Sequence, residues 1–389
     1  MRTAYREAMV WDDAAYRKSF LDWMACAVAG SRERAARAAA QVDDGLSGKI
    51  VAAGTAGHVL DFDDTFLPGI AHLSAPTAPA ALFLGAEVGA RAGTVLEAYA
   101  RGFEAMGALA KASHPALYDG GWHPTSVCGV VGAATAASVV LDLGERAANA
   151  VPLALVGTAG MRGAFGSDGK SLQVGMAAAA GVRAARLAAA GAVAPAAIVA
   201  AFEESYGATW AEASPDVPAV GSNWIKAYPC CLQTHGSIEA AERLRAAGVR
   251  RGDPVTAVVH PVSRQAASYD DVVDGLQAKF SIPYTIAFTL AHGPPGVADF
   301  ERVDPEVREA ARRIVVHTDR SLMESEAVLE AGDGQTARVD AATGSPLHPM
   351  TAEQLAGKVR SLAGARLDGC LDDLQAPASD LAKLVVAAP

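Results

Sequence analysis

The sequence predicts a mainly α-helical protein, with a large helical domain formed by both chain ends and a smaller α/β domain inserted in it. Three observations predict this class. Up to about residue 225 apolar residues recur at helical spacing and no alternating strand pattern is present. The character then changes, and residues 255–262, 313–318 and 336–340 read as strands. Finally, Thr351 and Gln354 form a capping box that opens a last pair of helices. The expected boundaries are 1–235 with 346–389 for the helical domain and 236–345 for the insert.

Size and composition agree with that plan. A chain of 389 residues is too long for one ordinary core and fits two domains. Hydrophobic residues make up 51% and charged residues 20%, which is a globular composition. The net charge of -10 argues against nucleic acid as a partner, since phosphate binding needs clustered Lys and Arg. A small anionic substrate needs only a locally positive pocket.

The five cysteines, at 26, 128, 230, 231 and 370, are odd in number and lack CxxC spacing. That predicts no disulfide framework, no zinc site and a cytoplasmic location. The stretch Met1 to Glu7 has no signal-peptide shape. The longest uncharged runs, 125–141 and 187–202, are shorter than a typical membrane span and read as buried helices, so no membrane association is expected.

The elements follow in order. Residues 16–30 read as a helix, with Phe20, Trp23, Met24 and Val28 at helical spacing. Residues 31–41 form a polar helix that Asp43-Asp44-Gly45 ends. The stretch from Gly57 to Thr65 is acidic and, if helical, places Asp61 on one face with Asp64 and Thr65. Its bland alternative is an Asp-rich helix start favoured by the macrodipole. Helices follow over 80–92 and 95–112, then a loop around Gly120-Gly121, then helices over 126–141 and 147–160. A Gly-rich loop over 163–169 opens a helix over 170–190, where Gly175, Ala179, Ala180 and Gly181 permit close helix approach. In the insert, 282–291 is helical, and Asp304-Pro305 supplies an N-cap and first-turn pair.

Each chemical motif is ambiguous alone. Gly163 through Ser171 resembles a phosphate loop, but its spacing is one residue too long and no strand precedes it, so nucleotide binding is rejected. A glycine-rich turn with Lys170 opening a helix still makes an anion site; the alternative is a solvated lysine. His123 stands in a loop between Trp122 and Pro124, a common setting for a surface or packing histidine. Lys226 could pair with a substrate carboxylate, whereas Cys230-Cys231 could be simple core. Tyr284 could be core with a satisfied hydroxyl. Zinc-hydrolase, serine-hydrolase and dinucleotide fingerprints are missing.

Taken together, five motifs in order resemble the MmgE/PrpD family. They are Gly57-His58-Val59-Leu60-Asp61-Phe62-Asp63-Asp64-Thr65, Gly121-Trp122-His123-Pro124-Thr125, Gly169-Lys170, Lys226-Ala227-Tyr228-Pro229-Cys230-Cys231 with His235, and Lys279-Phe280-Ser281-Ile282-Pro283-Tyr284. The resemblance covers roughly residues 16–389. That family includes 2-methylcitrate dehydratase, cis-aconitate decarboxylase and iminodisuccinate epimerase. The resemblance implies a homodimer, a pocket between the two domains, and catalysis without metal or organic cofactor. It places the pocket residues on Asp61, Thr65, His72, His123, Lys170, Lys226 and Tyr284, with Cys231 and His235 beside the substrate. Two departures stand out. The decarboxylases carry His where this chain has Cys231, which points towards dehydration. The segment before Gly57 is shorter than usual, and Ala71-His72-Leu73 replaces a commoner His-Pro.

The family's substrates are small polycarboxylates, and their chemistry begins at the carbon alpha to a carboxylate. Lys170 and Lys226 would hold the charge that develops there. His72 and His123 are the expected acid and base, in an order the sequence does not give. Asp61 would orient an imidazole or hold a substrate hydroxyl, and Thr65 and Tyr284 would add hydrogen bonds. Asp63 and Asp64 are expected to pair with protein groups. The leading expectation is a hydro-lyase for a carboxylated hydroxy acid. An epimerase with the same pocket is the alternative, ahead of a decarboxylase or a non-catalytic binding protein.

Overall fold

The computed structural model describes residues 13–195 and 197–385, so the Met1 to Glu7 stretch lies outside the described residues. The chain is mainly helical, as its periodicity predicts, and it divides into two compact units. The first comprises residues 13–59, 63–225 and 351–385, and the second residues 60–62 and 226–350.

Long helices make the core of the first unit. Ala92–Ser113 and Asp168–Ala189 both pack on Pro124–Val140, and Asp168–Ala189 also packs on Leu46–Val59. Small residues set the spacing. A Cβ added at Gly175 would lie 2.3 Å from the Val51 carbonyl oxygen and 2.7 Å from Thr55 Oγ1, so glycine is needed where these two helices cross. Both chain ends meet in this unit. The buried Lys358 ammonium, on Ala352–Ala363, pairs at 2.6 Å with buried Asp22 on Asp13–Gly30. The expected Thr351/Gln354 capping box starts Ala352–Ala363. Helix is interrupted by a short antiparallel ladder, β1 (Thr65–Phe66) against β2 (Asn223–Trp224), with Thr65 opposite Trp224.

The second unit holds a four-stranded sheet of β3 (Val255–Val259), β4 (Ile314–Thr318), β5 (Ala327–Ala331) and β6 (Thr336–Val339), in the order β4-β3-β5-β6. The β3/β4 pair is parallel and the other two pairs are antiparallel. Val255, Ala257 and Val259 alternate inward on β3, as Ala327, Leu329 and Ala331 do on β5. The helices Leu232–Ala246 and Ile282–His292 pack against strands of this sheet. Asp304 caps Pro305–Ala311, accepting from the Glu306 and Val307 amides, as the Asp-Pro pair predicts.

Two local expectations are corrected, and a third difference lies in elements that were not expected. The acidic stretch is not a helix: Leu46–Val59 ends before it, and Asp61 takes a left-handed φ of 53°. Asp61, Asp64 and Thr65 therefore share no helical face. The stretch follows a helix C-terminus, where the macrodipole disfavours carboxylates, so it is not a dipole-driven helix start either. Asp61 is held by Lys226, 165 residues away, whereas Asp63 is held by the nearby His58 and His72. Second, the uncharged run 187–202 is split, because Gly191 at φ 96° ends one helix and Ala197–Tyr206 begins after Pro195. Its Leu187 and Val193 are exposed. The other run is the buried helix expected, bounded as Pro124–Val140. Third, β5 and the helix Leu232–Ala246 had no clear signal in the sequence. Among the described residues no helix is long and apolar enough to cross a membrane.

Candidate functional site

The first unit gathers two histidines around one carboxylate, with a third stacked on one of them. His58 lies in the last turn of Leu46–Val59 and is buried. The chain then turns, so that Asp63 Oδ2 reaches His58 Nδ1 at 2.9 Å and His72 Nδ1 at 3.2 Å. The two rings meet edge to face with centroids 4.4 Å apart. Thr65, fixed on β1, brings Oγ1 to 3.4 Å from His72 Nδ1. The backbone amide of His72 donates to Thr125 Oγ1 at 3.1 Å, which ties it to the start of Pro124–Val140.

His123 is the N-cap residue of that same helix, with Pro124 in its first turn. Its ring stacks at 5.9 Å from His58 and sits edge-on to Phe165 at 4.9 Å. Gln173 reaches His123 Nδ1 through Nε2 at 2.6 Å. Lys170 enters from the first turn of Asp168–Ala189, which Ser167 caps by accepting from the Gly169 amide. The Lys170 side chain is buried, with Nζ 5.6 Å from the Phe165 ring centre. Thr65, His72, His123 and Lys170 are thus all carried by the first unit.

Electrostatics separates the neighbouring acids. Burial alone would raise the Asp63 pKa, but the adjacent His58 and His72 and their hydrogen bonds outweigh it and hold the group well below the usual carboxylate range. Asp64 goes the other way. Burial pushes it up to about 7, opposed by hydrogen bonds from Ser74 and Asn223 and reinforced by the Asp63 charge. It accepts from the Ser74 hydroxyl at 2.6 Å and from Asn223 Nδ2 at 2.8 Å. Asp63 and Asp64 therefore both pair with protein groups.

The second unit holds the remaining residues. The buried Lys226 Nζ donates at 3.0 Å to both the backbone oxygen and Oδ1 of Asp61. Lys279 Nζ donates to the Leu60 oxygen at 2.7 Å, so two lysines hold this short segment. Asp61 is thus paired with an ammonium, and Asp63 engages two imidazoles. Cys231 precedes Leu232–Ala246; its amide donates to the Lys279 oxygen at 3.0 Å and its Sγ lies 3.1 Å from Gln233 Oε1. His235, buried in that helix, has Nε2 3.3 Å from the Cys230 oxygen. Burial pushes the Cys230 thiol up to about 12, away from the reactive thiolate form. Tyr284 is buried, and its hydroxyl accepts from the Asp304 amide at 3.0 Å.

Two family models match this architecture: the MmgE/PrpD N-terminal domain over residues 47–215 and the MmgE/PrpD C-terminal domain over residues 228–376. The chain belongs to the MmgE/PrpD family. It is also similar to cis-aconitate decarboxylase of Mus musculus, with 27% identity over 366 residues that cover 85% of this chain and 74% of that protein. The histidine cluster and Lys170 fall within the MmgE/PrpD N-terminal match, whereas Cys231, His235 and Tyr284 fall within the C-terminal match.

In this MmgE/PrpD chain, His58, Asp63 and His72 also form a group whose possible ligand atoms all lie within 4.8 Å of one another. Two imidazoles and a carboxylate suit a divalent transition metal. Such binding would compete with the hydrogen bonds that both rings give Asp63. Sequence reasoning did not single out His58 or Gln173. His58 stands five residues before Asp63 in the first motif, which is a usable signal. Gln173 has no motif and is found through its contacts.

Proposed function

We propose that this protein is a lyase that removes water from a small carboxylated hydroxy acid of the 2-methylcitrate type. The proton is taken from the carbon alpha to a carboxylate. The observation that carries this reading is the buried Asp63, whose Oδ2 is shared by two imidazole Nδ1 atoms, with a third imidazole stacked beside His58. A carboxylate so placed orients imidazoles and stabilises the cation formed when one takes a proton. Lys170, at a helix start, would face the charge that builds on the substrate carboxylate. Asp61, Cys231, His235 and Tyr284 are proposed as further substrate-side residues, with Lys226 holding Asp61 in place.

A second reading is decarboxylation, favoured by the similarity to the mouse cis-aconitate decarboxylase. Cys231, which stands where decarboxylases of the family carry His, favours dehydration. The test is a panel of hydroxy di- and tricarboxylates and cis-aconitate, followed by ultraviolet absorbance and carbon dioxide release. Dehydration predicts alkene absorbance from a hydroxy acid without gas. Carbon dioxide release from cis-aconitate, with no alkene from any hydroxy acid, would overturn the proposal.

A further inference from the structure

The hydrogen bonds around the two proposed acid/base histidines are directional, and they differ. Gln173 Oε1 lies 2.9 Å from the Met161 backbone nitrogen, which can only donate. The amide is therefore oriented with Nε2 as donor, and Nε2 reaches both the Met161 oxygen at 3.2 Å and His123 Nδ1 at 2.6 Å. His123 Nδ1 must accept, so a neutral His123 carries its proton on Nε2. At His72, Nδ1 lies 3.2 Å from the Asp63 carboxylate, which can only accept when ionised, and 3.4 Å from the Thr65 hydroxyl, which can accept as well. A neutral His72 so held carries its proton on Nδ1, which puts the lone pair on Nε2. His58 Nδ1 donates to the same Oδ2 and holds that carboxylate in place.

We propose that Gln173 and Asp63 set opposite tautomers at the two histidines, making His123 the proton donor and His72 the base. These roles rest on the proton-transfer reading above; the tautomers do not. In the dehydration step, His72 Nε2 takes the alpha proton and becomes an imidazolium held by Asp63. The C–H electron pair forms the new carbon–carbon double bond as the beta C–O bond breaks. His123 Nε2–H gives its proton to the departing hydroxyl, which leaves as water and leaves His123 as an imidazolate. Proton transfer through solvent from His72 to His123 then resets both rings. Gln173 is a positioning residue: protonating His123 at Nδ1 would set that N–H against the glutamine amide, which keeps the ring neutral.

The test is ¹⁵N NMR of the full chain labelled at histidine, with His72→Asn and His123→Asn used to assign the two rings. Ring-proton couplings tell which nitrogen carries hydrogen without any substrate, so failure here is separable from failure of the dehydratase reading. We expect Nε2–H for His123 and Nδ1–H for His72 near neutral pH. Gln173→Glu, which replaces the donor by an acceptor, should move the His123 proton onto Nδ1 and lower kcat with a smaller change in KM. The same tautomer on both rings in the wild type, or a His123 spectrum unchanged in Gln173→Glu, would overturn the proposal. If that variant does not fold, the wild-type spectrum alone decides.

Discussion

Asp61, Asp63 and Asp64 lie within four residues of one another, all buried, and each meets a different partner. Their pH behaviour separates accordingly. The folded-state pKa of Asp64 is raised to about 7 from an ordinary 3.8. Between those values the folded protein keeps a proton that the unfolded chain releases, so stability falls as pH rises through this window. A shift of this size corresponds to about 4 kcal/mol as an order of magnitude. Asp63 has the opposite sign: its folded pKa is depressed, so its contribution is present above the unfolded value near 3.8 and is lost as pH falls below it. Asp64→Asn keeps an acceptor for Ser74, and a flipped Asn223 amide satisfies its new donor. Urea unfolding should show the wild type weakening between pH 5 and 8 while Asp64→Asn changes far less. Equal pH slopes would refute the raised pKa. The pairing of Asp63 and Asp64 with protein groups was legible in sequence, because carboxylates in an apolar region need partners. Which groups pair was not legible, since Ser74 and Asn223 lie ten and 159 residues from Asp64.

At the scale of elements, helices were read well where apolar periodicity was strong, as in Asp13–Gly30 and Ile282–His292. Capping chemistry at Asp304 and Thr351 located two helix starts. Reading failed where tertiary pairing decided the local structure. β5 is Ala-Val-Leu-Glu-Ala, a weak strand sequence that extends because it lies between β3 and β6. The acidic turn after Val59 is likewise set by distant partners, among them Lys226. That yields a prediction for the segment. Lys226→Met leaves Asp61 buried without its ammonium, and breaking such a pair costs about 3–5 kcal/mol. Chemical denaturation should show that loss, and Lys226→Met should lose activity mainly by unfolding. Full wild-type stability with only KM raised would instead make Lys226 a substrate ligand.

At the scale of the molecule, the fold class was legible because the change from helical to alternating pattern is coarse and survives errors at element ends. The candidate site was legible in part. His72, His123, Lys170 and Thr65 were identified from motifs, and the structure places all four in one unit with Asp63 and His58. The proposed order of acid and base was not legible, because it rests on the amide of Gln173 and the backbone of Met161. Net charge is -10, so attraction of an anionic substrate has to be local. The most direct test of the central claim is deuterium exchange at the carbon alpha to the carboxylate, measured in heavy water with wild type and a folded His72→Asn variant. The account predicts exchange coupled to alkene formation in the wild type, reduced about 10²- to 10⁴-fold in the variant. Exchange at the wild-type rate in His72→Asn would contradict it, and exchange without alkene would point to epimerisation.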